Sequence, residues 1–327
     1  MEKFTNNEFD DIYVLHTAFL GDIFISYHFI NQLKFNNPNS KIHFITTPIM
    51  SEPSKKISSI DNVLSFDKRN TQKKLVDSKN YGLKFSKNSL TISLHKSLRS
   101  SVLTYFSNSR EKLVWGDASL SLLFKNKIKY QFHLHERDRL NKFLNIFKNV
   151  TLTEQLPKVN FNNKNDIIEN TILIFPGSVW ATKKWKIEHY IDLASSLKNK
   201  GEDVLICGSK GELDICDIIS KNSNVKSLAG ELDLVDLMQL VSKAKIVVCN
   251  DSAPTHIANL FGTKVLTIFG PTTPDFGFAP YNGEFIYSEE KCSPCNIHGP
   301  KECPIGTHQC MVNIRPESML SKIESMN

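Results

Sequence analysis

Short apolar runs, small polar turns and amphipathic stretches alternate along the chain. Ile12–His16 is apolar, Ile23–Lys34 has apolar residues at helical spacing, and Lys41–Thr46 alternates as a strand does. A strand, a helix and a strand in this order are typical of a parallel sheet. The same reasoning predicts further strands at Leu90–Leu94 and Lys112–Trp115, and a helix at Leu98–Phe106.

The second half of the chain repeats this pattern about four times. Predicted strands are Thr171–Phe175, Asp203–Cys207, Lys245–Cys249 and Lys264–Phe269, and predicted helices are Ile187–Lys198, Leu234–Ser242 and Ala253–Phe261. A glycine or polar turn follows each strand. This order predicts a doubly wound α/β domain that binds its ligand at the carboxyl ends of the strands.

Between the halves, Val159–Asp166 is polar, rich in asparagine and without periodicity. A chain of 327 residues fits two domains of roughly 100–200 residues each. We therefore place an N-terminal domain at 1–160 and a C-terminal domain at 161–327.

Composition narrows the class of protein. No run approaches the roughly 18 apolar residues that span a bilayer, and the first eleven residues do not resemble a secretory signal. Seven cysteines in so long a chain favour a reduced, cytoplasmic protein over a disulfide-stapled one. The apolar fraction of 40% argues against disorder.

Charge is divided unevenly along the chain. Residues 1–165 carry 25 Lys and Arg against 14 Asp and Glu, whereas residues 166–327 carry 15 against 20. A basic first half is expected to meet something anionic, such as a phosphorylated substrate, a membrane face or nucleic acid. A plain lysine-rich surface explains the bias equally well. We do not expect nucleic-acid binding, since the basic residues form no recognisable reading module.

Two turns of the second half are suited to phosphate. Asp251–His256 follows a buried strand and opens a helix, whose free N–H groups favour anions. Asp251 is either the N-cap of that helix or a ligand residue. Pro176-Gly177-Ser178 is followed by Lys183, which is either a diphosphate contact or a solvated lysine.

In the first half, Leu20-Gly21-Asp22 follows the first predicted strand. The glycine permits close approach of a ligand to the backbone. Asp22 is either the N-cap of the next helix or a general base.

Four cysteines lie within 19 residues near the end of the chain: Cys292, Cys295, Cys303 and Cys310. Their spacing suits four thiolate ligands of one structural zinc or iron ion, with His298 and His308 as further candidates. Unligated thiols and a disulfide are the alternatives. The other three cysteines, Cys207, Cys216 and Cys249, fall in strand or helix patterns and are expected in the core.

Taken together, these motifs resemble the ADP-heptose:lipopolysaccharide heptosyltransferases of glycosyltransferase family 9. The resemblance rests on Thr17–Asp22, His95–Ser100, Phe175–Trp185 with Glu188-His189-Tyr190, Ser227–Met238, Val248–His256, Phe269–Pro274 and Cys292–Met311. These segments occur in the family order from about residue 12 to residue 314.

The resemblance implies a GT-B fold, with two Rossmann-like domains facing across a cleft. It implies an inverting glycosyltransferase that needs no metal for chemistry and moves heptose from ADP-L-glycero-β-D-manno-heptose to a Kdo or heptose of the lipopolysaccharide inner core. The N-terminal domain would hold this phosphorylated glycolipid acceptor, and the C-terminal domain would hold the donor. The enzyme would be cytoplasmic and peripheral to the inner membrane.

Site residues follow from the same resemblance. Asp22 would deprotonate the acceptor hydroxyl, and Lys183 would neutralise the donor diphosphate. The implied donor-binding residues are Gly177, Ser178, Lys183, Glu212 at the ribose, Asp251 at the sugar hydroxyls, Ser252, Ala253, Thr255 and His256. The implied acceptor-binding residues are Gly21, Lys96 and Arg99.

The chain departs from the family pattern at three positions. Ala253 replaces a glycine beside the phosphate, Lys186 replaces a proline, and Phe19 occupies a position where the family has a small residue. These changes bear on the sugar more than on the fold. Another nucleotide sugar, a protein acceptor, or a non-catalytic GT-B-like protein with a metal at its cysteines are the competing hypotheses.

Overall fold

The computed structural model describes residues 3–161 and 168–326. The chain divides into two compact units, Met1–Phe161 and Asn162–Asn327, which we call the N-terminal and C-terminal units. The division falls one residue after the predicted boundary. Residues 162–166 of the stretch that suggested this boundary lie outside the described residues.

The N-terminal unit is built on a six-stranded parallel sheet in the order β3-β2-β1-β4-β5-β6. Its strands are β1 (Asp11–Leu15), β2 (Lys41–Thr46), β3 (Asn62–Ser65), β4 (Ser89–Ser93), β5 (Glu111–Trp115) and β6 (Asn126–Ile128). Its helices are α1 (Leu20–Asn36), α2 (Pro48–Lys55), α3 (Leu75–Gly82), α4 (Leu98–Tyr105) and α5 (Glu136–Asn141). The predicted β-α-β start is confirmed.

Helix α1 is buried on more than one side, whereas its sequence suggested a single apolar face. Every residue from 23 to 30 is buried, and α1 also packs against α5. The segment after α5 adds a further cover. Gln32 Nε2 donates to the Thr153 carbonyl at 2.6 Å, and Asn36 Nδ2 donates to the Thr151 carbonyl at 2.8 Å. The side-chain amides of these two α1 residues therefore hold residues 151–153 against the helix.

The C-terminal unit has a second six-stranded parallel sheet, in the order β12-β11-β10-β7-β8-β9. Its strands are β7 (Ile172–Phe175), β8 (Val204–Ile206), β9 (Lys226–Ser227), β10 (Ile246–Asn250), β11 (Lys264–Phe269) and β12 (Gly283–Tyr287). Its helices are α6 (Ile187–Asn199), α7 (Leu213–Ser223), α8 (Leu234–Lys243), α9 (Ala253–Phe261), α10 (Gln309–Val312) and α11 (Pro316–Met326).

Strands β7 and β10 lie side by side at the centre of this sheet, and the chain leaves them in opposite directions. Both are fully buried and, apart from Asn250 at the end of β10, apolar, as expected of parallel strands covered on both faces. Their carboxyl ends form the switch point at which a doubly wound sheet binds its ligand.

The predicted α/β class, with two doubly wound parallel sheets of the GT-B kind, is confirmed. Within the described residues, no helix combines the length and the apolar character that a bilayer crossing requires.

Candidate functional site

Asn250, the last residue of β10, joins the two loops at the switch point. Its buried side chain donates from Nδ2 to the carbonyls of Pro176 and Gly177 at 2.9 and 3.1 Å. Its Oδ1 accepts from the Trp185 backbone N–H at 3.1 Å and from the Tyr190 hydroxyl at 3.0 Å. The loop after β7 is therefore fixed against the end of β10.

Lys183 and Asp251 form an ion pair beside this amide. Lys183 Nζ lies 2.5 Å from Asp251 Oδ2, and the Thr272 hydroxyl donates to the same oxygen at 2.8 Å. Both charged side chains are about nine-tenths buried. A cation and a carboxylate held together at the end of β10 can exchange partners with a ligand that carries an anionic group and hydroxyls.

Helix α9 begins directly after this pair. Ser252, not Asp251, occupies the N-cap position, so the interpretation of Asp251 as a helix cap is wrong. The Ser252 hydroxyl donates to the Asn250 carbonyl at 3.1 Å, and no side chain caps the helix. The N–H groups of the first turn, which starts at Ala253, are thus left for a ligand.

Two other predicted donor residues of α9 point into the protein. The Thr255 hydroxyl is buried and lies 2.8 Å from the Thr267 hydroxyl. It is therefore part of the core rather than of a ligand surface. His256 is also buried, with its ring 6.3 Å from that of Phe278.

Glu212 lies against Gly177, so these two predicted residues do meet. A methyl group added at Gly177 would fall 1.6 Å from Glu212 Oε1, so a larger residue there would displace this carboxylate. The second carboxylate oxygen accepts from the Ser209 N–H at 2.7 Å and from its hydroxyl at 2.8 Å. Ser178 is partly exposed on the same loop. The carboxylate of Glu212 is thereby placed beside the loop after β7.

In the N-terminal unit, Asp22 lies in the first turn of α1 and is partly exposed. Phe19 is the N-cap residue of this helix, so Asp22 does not cap it. Gly21 precedes Asp22 in the same turn. The N-terminus of α1 favours the ionised form of a carboxyl group placed there.

The ends of β1 and β4 carry two histidines that are neutral at pH 7. Burial, followed by the charges of His95 and Lys68, lowers the pKa of His16 to about 3. Burial, followed by the charge of Lys68, lowers the pKa of His95 to about 4. Lys68 Nζ donates to the Thr17 carbonyl at 2.5 Å, and its own pKa falls to about 8, mainly because it is buried.

Hydroxyl groups surround the ring of His95. Its Nδ1 lies 2.9 Å from the Ser100 hydroxyl and 3.1 Å from those of Thr17 and Ser97. Three hydroxyls around one neutral ring nitrogen make a polar cluster at the carboxyl edge of the sheet, the edge at which α1 and Asp22 begin.

The predicted acceptor residues Lys96 and Arg99 have partners within this unit. Lys96 Nζ forms an ion pair with Asp117 at 2.8 Å and lies 3.3 Å from the centre of the Tyr130 ring. Arg99 Nε donates to the Lys73 carbonyl at 2.9 Å. Both cations are on the loop and helix that follow β4.

All seven cysteines carry free thiols. Cys207, Cys216 and Cys249 are buried, as predicted, and burial raises the pKa of each to about 12. Among the residues that the structure describes, no three or more His, Cys, Asp or Glu side chains are grouped closely enough to hold one metal ion.

The charges of the four clustered cysteines nevertheless influence one another. Burial, together with the charges of the other three clustered cysteines, raises the pKa of Cys310 to about 12. The His308 backbone N–H donates to Cys303 Sγ at 3.4 Å, and this bond is the main cause of the lowered pKa of that thiol.

The segment that carries these cysteines also packs on the Lys183 loop. His308 Nε2 donates to the Thr182 carbonyl at 2.6 Å, and a methyl group at Gly299 would fall 3.3 Å from the Lys183 side chain. The cysteine segment therefore supports the loop that presents Lys183.

Three residues of these sites have no role in the sequence-based prediction: Asn250, Thr272 and Lys68. Asn250 and Thr272 lie inside two of the motifs that carry the family resemblance, and Asn250 directly precedes the predicted residue Asp251. Their position at strand ends was the available signal. Lys68 follows β3, a strand that the pattern of the sequence did not indicate.

A family model supplies the deciding comparison. Residues 82–304, more than half of the chain, match the model described as glycosyltransferase family 9 (heptosyltransferase). The chain belongs to glycosyltransferase family 9. The predicted resemblance is confirmed.

A relative and two solved structures give the range of similarity. The lipooligosaccharide heptosyltransferase 2 of Campylobacter jejuni is 27% identical over 160 residues, which is 46% of this chain and 50% of that protein. The match thus spans about half the length of this curated relative. A family 9 glycosyltransferase from Veillonella parvula has a TM-score of 0.84 at 17% identity and 98% coverage of both chains.

Escherichia coli heptosyltransferase WaaC with ADP-2-deoxy-2-fluoro heptose has a TM-score of 0.75 at 14% identity. The alignment covers 97% of this chain and all of that one. At such low identity, the two solved structures show that this family 9 glycosyltransferase shares their fold.

Proposed function

We propose that this family 9 protein is an inverting heptosyltransferase, which moves heptose from ADP-L-glycero-β-D-manno-heptose to a Kdo or heptose of the lipopolysaccharide inner core. The observation that carries the proposal is the Lys183–Asp251 pair beside the uncapped start of α9. The names of the C. jejuni relative and of the WaaC complex support this choice of donor and acceptor.

Charge on the leaving group decides the role of the C-terminal unit. As the bond from the anomeric carbon to the diphosphate oxygen breaks, its electron pair stays on ADP. The ammonium of Lys183 and the N–H groups of α9 stabilise this charge without a metal ion in the reaction. Once Lys183 turns to the diphosphate, Asp251 accepts hydrogen bonds from the sugar hydroxyls.

Proton removal is the role of Asp22. The acceptor hydroxyl oxygen bonds to the anomeric carbon, and the Asp22 carboxylate takes the hydroxyl proton. One base and a leaving group on opposite faces of the sugar give inversion. The two donor features and the base thus account for every bond and proton in the transfer.

A panel of nucleotide sugars tests the choice of donor. The purified protein is incubated with a deacylated Kdo acceptor and ADP-, UDP- or GDP-activated sugars, and products are read by mass spectrometry. We expect transfer from ADP-heptose. Turnover with another sugar alone would replace the donor, and donor binding without turnover over any acceptor would indicate a binding protein.

Two variants test the roles of the residues. Asp22→Asn removes the base and should lower kcat by about 10²–10⁴-fold. Lys183→Met should lower kcat by about 10²–10³-fold, because the stabilisation is greatest in the transition state. Lys184→Met is the matched control and should leave kcat within about twofold. Unchanged turnover in Asp22→Asn would contradict the mechanism.

We also propose a structural zinc or iron ion held by Cys292, Cys295, Cys303 and Cys310. Four sulfur donors in one segment suit either metal, and the N–H bond to Cys303 Sγ favours a thiolate. The sulfurs would have to converge by side-chain rotation. The ion would stabilise the segment that packs on the Lys183 loop, and chemistry at the anomeric carbon would not involve it.

Elemental analysis of the purified protein tests the metal. We expect about one equivalent of zinc or iron, lost in Cys303→Ser together with several degrees of thermal stability. A metal-free protein with four titratable thiols in this segment would establish unligated cysteines instead.

For localisation, we propose that the enzyme works at the cytoplasmic face of the inner membrane without crossing it. The basic bias of residues 1–165 supports contact with an anionic lipid surface.

A further inference from the structure

One buried amide, the side chain of Asn250, holds both ends of the loop that follows β7. At the start of the loop, its Nδ2 donates to the carbonyls of Pro176 and Gly177. At the end of the loop, its Oδ1 accepts from the Trp185 N–H and from the Tyr190 hydroxyl. An asparagine amide has two N–H donors and two acceptor lone pairs, so all four positions have partners within the C-terminal unit. The amide therefore serves the loop rather than a ligand.

Asn250 is a fixed point of the C-terminal unit. It is fully buried, and its strand pairs with β7 on one side and with β11 on the other. Directly after it, the Asp251 N–H donates to the Ile268 carbonyl at 3.0 Å, so the contact with β11 continues past the end of β10. Buried central strands are among the most stable parts of a fold. The amide thus gives the loop a rigid reference.

The loop itself, residues 176–185, protrudes from the sheet, and we call it the β7 loop. Val179 is 83% exposed. A short turn orders the second half of the loop, in which the Lys183 N–H donates to the Trp180 carbonyl at 3.1 Å. Lys183 lies two residues before Trp185, whose N–H is held by the Asn250 amide. A shift of that end of the loop would therefore move Lys183 as well.

A second support reaches the β7 loop from the segment between β12 and α10. The Thr182 hydroxyl donates to the Pro300 carbonyl at 2.5 Å, and His308 Nε2 donates to the Thr182 carbonyl at 2.6 Å. This support acts on the middle of the loop, whereas Asn250 holds its two ends. Because α9 starts just after β10, the bonds of Asn250 join the loop directly to the strand from which that helix begins.

We propose that Asn250 is a positioning residue of the transfer reaction. It holds the β7 loop so that the Lys183 ammonium lies beside the N-terminus of α9, where both meet the donor diphosphate. The identity of the donor rests on the proposed function. Asn250 acts through Lys183, since its own amide is bonded within the protein. A misplacement of about 1 Å at such a group can cost about 100-fold in rate. Loss of the amide should therefore appear mainly in kcat.

A double-mutant cycle with Lys183 tests this role. Asn250→Ala should lower kcat for transfer from ADP-heptose by about 10–100-fold and change KM for the acceptor by less than about twofold. In the Lys183→Met background, the same change should lower kcat by less than about threefold, because the group that Asn250 positions is gone. A residue that only stabilises the fold would give similar losses in both backgrounds.

Asn259→Ala is the matched control. Asn259 is another buried asparagine of this unit, and its Oδ1 accepts from the backbone N–H groups of Tyr281 and Asn282 at 3.1 Å each. These two residues directly precede β12, so they lie at the amino edge of the sheet, away from the start of α9. We expect this variant to lose thermal stability as Asn250→Ala does, and to keep kcat within about twofold.

Tyr190→Phe is a milder variant that keeps the inference testable where Asn250→Ala does not fold. It removes one hydrogen bond to Asn250 Oδ1 and leaves a ring of the same size in the core. We expect kcat to fall by about two- to fivefold, and this loss should vanish in the Lys183→Met background.

Hydrogen exchange of the protein without donor gives a measurement that does not depend on the reaction. The peptide that contains the β7 loop should exchange at least about tenfold faster in Asn250→Ala than in wild type, because the Trp185 N–H loses its acceptor. Exchange in α7 should be unchanged.

Three results would overturn the inference: an unchanged kcat in Asn250→Ala, an undiminished loss in the Lys183→Met background, or unchanged exchange in the β7 loop. Failure of the proposed function would look different. If wild-type protein binds ADP but transfers no heptose, the same cycle is measured as the dissociation constant for ADP, and independence from Lys183 there would overturn the role of Asn250. Wild-type protein that does not bind ADP would overturn both proposals.

Discussion

Adjacent residues at the end of β10 have different roles. The side chain of Asn250 is buried and hydrogen-bonded to backbone and side-chain partners on the β7 side, whereas that of Asp251 turns to Lys183. Composition and spacing draw attention to the charged residue. Composition and spacing do not indicate the role of the Asn250 amide, which fixes the loop after β7, because that role depends on which strand lies beside β10.

Gly177 offers a prediction at the same scale. Gly177→Ala should displace the Glu212 carboxylate and weaken donor binding by at least about tenfold, because an added methyl group would fall 1.6 Å from Oε1. The dissociation constant for ADP, measured by calorimetry, gives the effect.

Glu212→Gly supplies the control for this clash. In that background, Gly177→Ala should have little further effect, since the atoms that it meets are gone. Additive losses in the double variant would show that Gly177 acts through its backbone alone.

At the scale of elements, periodicity predicted the longer helices and strands with a clear apolar pattern and missed several that are short or polar. Helix α9 and strands β2 and β11 have the predicted bounds, since each is a continuous apolar or alternating run that ends in a turn residue. The missed elements include β3, β9, α3 and α7. Strand β9 has two residues, α3 is largely polar, and α7 begins in a glycine- and serine-rich stretch. Packing against neighbours, absent from local sequence, stabilises such elements.

The ends of β1 and β4 predict sensitivity to acid. In the folded protein the pKa of His16 is about 3, against an ordinary value of 6.5. Between these two values the unfolded chain binds a proton that the folded chain does not. His16 therefore does not reduce the free energy of unfolding above pH 6.5, and it reduces this free energy progressively as pH falls towards 3. Urea unfolding at several pH values between 7 and 5 measures this slope.

His16→Gln is the informative variant. It should lower the slope of the free energy of unfolding against pH by up to about 1.4 kcal/mol per pH unit, the value for one proton bound only by the unfolded chain. An unchanged slope in this variant would mean that His16 is accessible to protons in the folded state.

At the scale of the molecule, the division of charge matters more than the total of +6. The halves differ in the sign of their net charge, and the basic one carries Asp22. Whole-chain composition hides this difference. It becomes interpretable only when the two units are known, because each then has a field of its own.

Salt should therefore affect KM for a phosphorylated acceptor more than KM for an unphosphorylated one. Raising ionic strength from about 0.05 to 0.5 M should increase KM for a phosphorylated acceptor several-fold, since the Debye length shortens from over 10 Å to about 4 Å. KM for the same acceptor without phosphate should change little. Steady-state kinetics with the matched pair of acceptors makes the comparison, and equal changes would point to a general effect of salt.

The serine at the start of α9 has a consequence for the energetics of the empty enzyme. The Ser252 hydroxyl donates to the Asn250 carbonyl at the end of β10 and does not accept from the first turn of α9. The helix therefore lacks the N-cap hydrogen bond that a serine side chain commonly supplies. In the proposed function, the donor diphosphate accepts hydrogen bonds from the N–H groups of that turn and takes the place of that cap. On this proposal, the donor stabilises the start of α9, so the proposed enzyme should be more resistant to unfolding with the donor bound than without it.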